Sequence, residues 1–364
     1  MVYKVIGLMS GSSLDGLDIV YTELLEERGK WQFDIIASAC YEYEAEWKDK
    51  LRTATDLSAL DYQLLHTAYG HYLGGCVNRF IQEFGLEYKV ALIASHGHTT
   101  FHFPQKKMTA QLGDGAAIAA VTGLPVVSDL RAVDVAFGGQ GAPIVPIGEK
   151  LLLDEYHLFL NIGGIANISC AIGGKHLAFD VCPANRVLNS IALKSGKEFD
   201  QGGQMASVGN LNKELLQKLN ELWYYALPAP KSLDNSFGAD EISSLIRSFG
   251  LTDNDSLRTY VEHICYQIKL SIQNNFVLPN EASKLLVTGG GAFNSFLMSR
   301  LTEELRTLQI EVVVPESKIV EYKEALIMAL IGVLRWRQEY NVLSSVTGAK
   351  RDSINGAVWI GQEA

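Results

Sequence analysis

Gly7-Leu-Met-Ser-Gly-Ser-Ser-Leu-Asp-Gly-Leu-Asp18 lies between two apolar runs, Val2 to Ile6 before it and the partly alternating Leu17 to Leu25 after it. The pattern predicts a β-hairpin. From Ser10 to Asp18 the connection holds two glycines, three serines and two aspartates, so backbone N–H groups and hydroxyls can converge on one anion. A phosphate suits such a loop, and an ordinary polar hairpin turn is the alternative. A P-loop is excluded: no lysine follows Gly16, and strand rather than helix comes next. A dinucleotide fingerprint fails on the same ground.

Hairpin loops with hydroxyls and an aspartate beside phosphates resemble the first phosphate loop of the sugar kinase, heat-shock ATPase and actin superfamily. At 364 residues the chain exceeds the usual single domain, and its apolar content suffices for two cores. A net charge of −10 argues against a nucleic-acid binder, so an anionic ligand must be held by local donors. Cys40, Cys76, Cys170, Cys182 and Cys265 are scattered and odd in number, without C-x-x-C spacing, which fits reduced thiols and a cytoplasmic protein. No signal-peptide pattern or membrane-length apolar run is present.

Working outward, Trp31 to Tyr43 reads as a strand. Leu57 to Phe84 reads as a long helix with Leu60, Leu64, Ala68, Tyr72, Cys76 and Phe80 on its apolar face. Val90 to Ser95 is a short strand ending in the polar cluster Ser95-His-Gly-His-Thr99, read as a loop at the strand's carboxyl end, where α/β sheets place ligands. Asp114 is positioned to cap an Ala-rich helix, and Leu124 to Val127 leads to Arg131. Alternating strands and helices make this half α/β. Gly138-Gly-Gln-Gly-Ala-Pro143 is the sharpest composition break, giving a first lobe over 1–140 and a second over 141–364, whose last segment can return to the first.

The opening pattern then recurs. Leu158 to Asn161, Ile162-Gly163-Gly164 and Ile165 to Ile172 read as a second hairpin, which duplication explains. Helices are expected at 212–222, 257–275, 294–308 and 321–337, with strands at 285–288 and 310–314. Gly289-Gly290-Gly291 joins strand to helix and allows a purine and ribose to lie on bare backbone, a tight turn being the alternative. His96, His98 and His102 lack a carboxylate or cysteine partner in the sequence around them, so hydrogen bonding or packing suits them better than zinc.

Two glycine hairpins followed by a strand-Gly-Gly-Gly-helix match the order of phosphate and adenosine loops in the superfamily. More closely, Gly7–Asp18, Ser95–Thr99, Gly138–Pro143, Leu160-Asn-Ile-Gly-Gly-Ile-Ala-Asn167, Gly289-Gly-Gly-Ala-Phe-Asn294 and Ser345-Val-Thr-Gly-Ala349 resemble the anhydro-N-acetylmuramic acid kinase family over nearly the whole chain. The resemblance implies two ribonuclease H-like lobes closing over a cleft, commonly in a homodimer. It also implies ATP-dependent opening of a 1,6-anhydro amino sugar with phosphorylation of O6, in peptidoglycan recycling.

Water attacking an anomeric carbon needs a base, and an aspartate is ionised at neutral pH. Asp180, in Ala178-Phe-Asp-Val-Cys-Pro-Ala-Asn185, sits in the family's catalytic setting; the residues alone favour a cap for the next helix, and the resemblance assigns the catalytic role. The resemblance assigns the phosphates to Gly11, Ser12, Ser13, Leu14, Asp15, Gly16, Leu17 and Asp18, faced by Gly163 and Gly164, and the adenosine to Gly289, Gly290 and Gly291. Magnesium is expected near Asp15 and Asp18 through water. His96, Gly97, Arg131 and Asn185 are the sugar candidates, with Arg131 ahead of Lys231 for the lactyl carboxylate; a solvated surface charge is the alternative for either. The chain departs from the family in Val181-Cys182 where Thr-Gly is usual and His98 where glutamine is common; Asn161 stands where many superfamily members carry aspartate.

Overall fold

The computed structural model describes residues 1–11, 13–172, 175–233, 237–278 and 283–361. They divide into two compact units, one of residues 1–154 with 322–364 and one of residues 155–321.

Unit 1 starts with β1 (Val2–Ser10), β2 (Gly16–Glu27) and β3 (Lys30–Glu42). Short connections force antiparallel pairing, and Met9 stands opposite Asp18 in the first hairpin. After the helix Ala59–Glu83 come β4 (Leu92–Phe103), β5 (Met108–Leu112) and β6 (Val126–Ser128). β4 is parallel to β1 and to β6, while β5 folds back antiparallel on β4. In unit 2, β7 (Leu158–Ile162), β8 (Ile165–Ile172) and β9 (Lys175–Pro183) repeat the antiparallel meander. β10 (Ser283–Thr288) and β11 (Ile310–Val313) add parallel strands. β12 (Ala357–Trp359) returns to pair with β6 at the edge of the first sheet. The orders β3-β2-β1-β4-β6 and β9-β8-β7-β10-β11 are one topology used twice. The fold is therefore α/β, with a ribonuclease H-like sheet order in each unit.

Side-chain caps set several helix starts. Ser58 accepts from the Asp61 N–H, Asp114 from Ala116 and Asn294 from Leu297, each satisfying a donor that the helix itself leaves unpaired. The helix Ala59–Glu83 is present, but its buried stripe is not the expected one. Leu60 and Leu64 are 69% and 60% exposed, while Leu65, Tyr69, Leu73 and Val77 are buried with Phe80. Both stripes repeat every four residues, so periodicity alone could not choose between adjacent faces; packing of Gly70 and Gly74 against Asp114, Ala117 and Val121 of the next helix chose.

The boundary expected at 140/141 falls inside unit 1. The short helix Pro146–Leu152 stays there because a buried ion pair of 3.0 Å joins Glu149 to Lys323, and Ile327 packs directly on the Cα of Gly148. Lys323 and Ile327 belong to the helix Ser317–Trp336, which runs from Ala325 to Leu334 in contact with the core. Gly7 and Gly332 let that helix approach the sheet, since a Cβ on either would collide with Ala325 or Ala94.

Candidate active site

In unit 1 the first hairpin loop spans Gly11 to Asp15. Leu14 donates its N–H to the Gly11 carbonyl at 3.4 Å and holds φ at 60°, a region uncommon for a residue with a Cβ. Gly11 has room around it: a Cβ there would stand 3.5 Å from its nearest neighbour, Ser13 Oγ. Gly16 is tied to packing, since its Cβ would stand 2.6 Å from the Tyr41 carbonyl oxygen. Leu17 is buried in the core, so only its backbone is available to a ligand. Asp15 is exposed and Asp18 half-buried, hydrogen-bonded to the Cys40 thiol. Ser12 lies outside the described residues.

Ser10 closes β1 just before this loop and anchors a buried chain of polar groups. The Tyr43 hydroxyl donates to Ser10 Oγ at 2.7 Å and shares a 2.6 Å bond with the Tyr69 hydroxyl, and Ser10 Oγ lies 3.2 Å from His98 Nδ1. The loop expected at 95–99 is therefore strand: β4 runs on to Phe103 because β5 pairs with its second half, His98 opposite Leu112. Gly97 holds φ at 73°, and a Cβ there would stand 2.4 Å from the Leu112 carbonyl oxygen, so both backbone and space call for glycine.

His96 is buried, and burial, reinforced by the nearby Arg131 charge, pushes its pKa down to about 4. Its Nδ1 lies 3.0 Å from the Gly97 carbonyl, which only accepts, so Nδ1 carries the proton and Nε2 is left as an acceptor. Arg131 is also buried. Its Nε donates to the Gly141 carbonyl at 2.6 Å and its Nη1 to Thr99 Oγ1 at 3.0 Å, while Nη2 lies 3.4 Å from His102 Nδ1. Burial lowers its pKa to about 10, so it stays charged at neutral pH. Among the described residues no carboxylate lies within ion-pair distance of this guanidinium. Asp134, whose charge acts on it, spends its oxygens on the Gly141 N–H and the Thr347 hydroxyl, both 2.7 Å away. A buried cation without an anionic partner is costly, and an incoming carboxylate offsets that cost. Gly138–Pro143, read as a boundary, is thus the loop that holds Arg131, and Ser345–Ala349 supports it from the C-terminal segment through Thr347, whose carbonyl accepts from Gln140 at 2.8 Å.

In unit 2 the Gly163-Gly164 turn is braced from behind. The N–H groups of Ala184 and Arg186 donate to the Gly164 carbonyl and that of Asn185 to Gly163, at 2.8, 3.3 and 3.1 Å. The helix beginning at Asn185 therefore spends its first donors on the hairpin rather than on a phosphate. Asn185 Nδ2 donates to the Ile162 carbonyl at 3.2 Å and lies 3.5 Å from where a Cβ on Gly290 would stand, which puts it beside Gly289–Gly291. Those glycines differ in kind. Gly289, at φ 81°, would set a Cβ 2.8 Å from the Ile162 carbonyl oxygen, and Gly291 is packed on the Ile162 side chain. Gly163, Gly164 and Gly290 meet only ordinary contacts, so packing explains the first pair and leaves the other three for a ligand.

Asp180 lies on β9, opposite Asn167. It does not cap the next helix, whose N-cap is Ala184 without a side-chain bond. Its Oδ2 accepts from the Leu233 N–H at 2.9 Å and from Ser232 Oγ at 3.3 Å. Burial raises its pKa above the usual carboxylate range against the pull of those two donors. Val181 and Cys182 are both buried in the unit 2 core, so the departure from Thr-Gly is a change of packing behind the strand. Lys231 is not free either: its ammonium donates to the Tyr224 carbonyl at 3.1 Å and sits 4.5 Å from the centre of that ring.

A model of the family described as anhydro-N-acetylmuramic acid kinase matches residues 3–361. The chain belongs to the anhydro-N-acetylmuramic acid kinase family. Relatives carrying that name include one from Haemophilus influenzae, 32% identical with 97% of both chains covered, and one from Vibrio parahaemolyticus, 33% identical with 97% of both covered. A third, from Synechococcus elongatus, is 33% identical over 98% of this chain and 99% of its own. Among solved structures, the activator of the 2-hydroxyisocaproyl-CoA dehydratase from Clostridium difficile with bound ADPNP aligns at a TM-score of 0.48 and 14% identity, over 93% of this chain and 96% of that one. No helix among the described residues of this family member is long and apolar enough to cross a membrane.

The hydroxyl chain through Tyr43, the Gly141 carbonyl and the Ser232–Leu233 contacts were not legible as site features. Tyr43 and Ser232 stand in segments with no motif of their own, and each reaches its partner across more than thirty residues of sequence.

Proposed function

We propose that the chain is an ATP-dependent anhydro-N-acetylmuramic acid kinase. It opens the 1,6-anhydro ring of the sugar with water and transfers the γ-phosphate to O6, giving N-acetylmuramic acid 6-phosphate. The match to the family over residues 3–361 carries this reading. Asp180 supplies the chemistry: it takes a proton from water as the water oxygen bonds to C1, the C1–O6 pair leaves with O6, and O6 attacks the γ-phosphorus as ADP departs. Bond breaking thus generates the nucleophile, and the proton acceptor stands on a rigid strand.

Gly11, Ser13, Leu14, Asp15 and Gly16 hold the β- and γ-phosphates with Ser12, and Gly163 and Gly164 contribute bare backbone. Gly290 receives the nucleoside, while Gly289 and Gly291 shape its turn. Asp15 and Asp18 fit magnesium, which takes one or two carboxylates and completes its shell with water and phosphate oxygens; bound there, it neutralises charge on the phosphates. His96 Nε2 accepts from a sugar hydroxyl, and Arg131 pairs with the lactyl carboxylate. The enzyme works in the cytoplasm, as a homodimer.

Incubation with ATP and either the anhydro sugar or free N-acetylmuramate tests this reading. Turnover of the anhydro compound with phosphate on O6 is expected. Exclusive use of a free amino sugar would instead make it a kinase for a ready-made hydroxyl, and nucleotide binding without sugar-dependent transfer would make it an actin-like switch. Gly290→Val should raise the ATP KM about tenfold or more, equivalent to about 1.4 kcal/mol, with the sugar KM little changed and the melting temperature preserved. Gly291→Val, driven into Ile162, should instead lower stability; equal effects of Gly290→Val on both substrates would reject its role at the nucleoside.

A further inference from the structure

The segment from Tyr224 to Leu233 meets Asp180 at every polar atom but one. The Asp180 N–H donates to the Lys231 carbonyl at 3.0 Å, and its carbonyl accepts from the Tyr224 hydroxyl at 2.7 Å. Leu233 N–H and Ser232 Oγ both bind Oδ2. Among the described residues Oδ1 has no hydrogen-bond partner. Lys231 does not neutralise the acid, because its ammonium is turned onto the Tyr224 carbonyl and ring. We infer that Ser232 is a positioning residue for the reaction: together with the Leu233 amide it fixes Oδ2, so that the carboxylate stays ionised with Oδ1 presented to water.

The inference rests on the proposed role of Asp180 as base. A carboxylate with two bound donors on one oxygen keeps a single rotamer, and the hydroxyl stabilises the ionised form more than the acid. The titratable groups around it are Lys231, Tyr224 and Tyr225 on the facing segment, Cys182 on its own strand, its thiol raised far by burial, and His263 on the helix Asp253–Asn275, which meets the Tyr225 hydroxyl and is pushed down to about 3 by burial. The lysine, tyrosines and thiol keep their charge between pH 5 and 8 at their ordinary values and burial keeps His263 neutral there, so an acid limb that moves when Ser232 is changed reports Asp180. Ser232 is exposed, and truncating it leaves the core intact.

The test is the kcat–pH profile of the whole enzyme and its Ser232→Ala and Ser232→Thr variants at saturating ATP and anhydro sugar, with Asp180→Asn alongside. Ser232→Ala should move the acid limb upward by about half a pH unit or more and lower kcat at neutral pH by about threefold to tenfold. The ATP KM should be unchanged, and Ser232→Thr, which keeps the hydroxyl, should restore the limb. If Ser232→Ala retains the parent limb and kcat while Asp180→Asn is inactive, the positioning role is wrong and the base survives. A fall in kcat with an unmoved limb and a raised ATP KM would show a merely structural serine. Near-normal turnover by Asp180→Asn would overturn the base itself and the positioning role with it.

Discussion

Asp180→Asn should lower kcat by about a hundredfold to ten-thousandfold, the range typical of losing a positioned general base, while ATP binding is retained. The amide fills the same space and its oxygen still accepts from Leu233 and Ser232, so the strand keeps its geometry while the proton acceptor is gone. Because burial holds the Asp180 carboxyl above the ordinary carboxylate range, the parent enzyme should also lose activity as pH falls through that raised value, as the base becomes protonated. That acid limb should be absent from the residual activity of the variant. Steady-state kinetics across pH, with nucleotide affinity measured by calorimetry, check both outcomes. A variant within threefold of the parent rate removes this carboxylate from the mechanism.

The second large effect concerns stability. Gly7→Ala should destabilise unit 1 by about 3 kcal/mol, the upper end of the usual cost of overpacking, because the added methyl lands on backbone, the Ala325 carbonyl and the Ala329 nitrogen. A flexible side chain could swing away, but a packed helix must shift as a body. Gly75→Ala is the natural comparison: it lies in the interior of the helix Ala59–Glu83 with nothing within 4 Å of the new methyl, and helix propensity predicts a gain of about 0.5–1 kcal/mol. Denaturant titrations followed by a probe in unit 1 measure both. A Gly7→Ala protein as stable as the parent would mean that the helix and strand do not pack as described.

What could be read from the sequence was whatever is encoded locally. Both hairpins announced themselves by polar turns between apolar runs, and the third glycine loop by its place between a strand and a helix. The face of the helix Ala59–Glu83 was not legible, since the choice between Leu64 and Leu65 is made by Ala117 and Val121, far along the chain. β4 was cut short at Ser95 for a similar reason: its polar second half is held as strand by β5, and His96-Gly97-His98 carries no strand propensity that reveals it. At the site, residue types were informative and partners were not. Arg131 stood out as a charge after a strand, yet the acceptors that aim it, Gly141 and Thr99, come from segments read as a boundary and a loop. The three consecutive glycines looked equivalent as letters; only distances separate the two required by Ile162 from the one left open.

The return of residues 322–364 to unit 1 sets a timetable for biogenesis. Unit 2 is one continuous stretch whose last residues are made before most of the helix over Gly7 and before the edge strand β12, so it can fold ahead of a completed unit 1. Unit 1 meanwhile waits with its oldest strands uncovered. The unit built first is thus finished last, and a chain released after residue 321 would carry every residue of the second unit together with an exposed apolar sheet in the first, the kind of surface that chaperones bind.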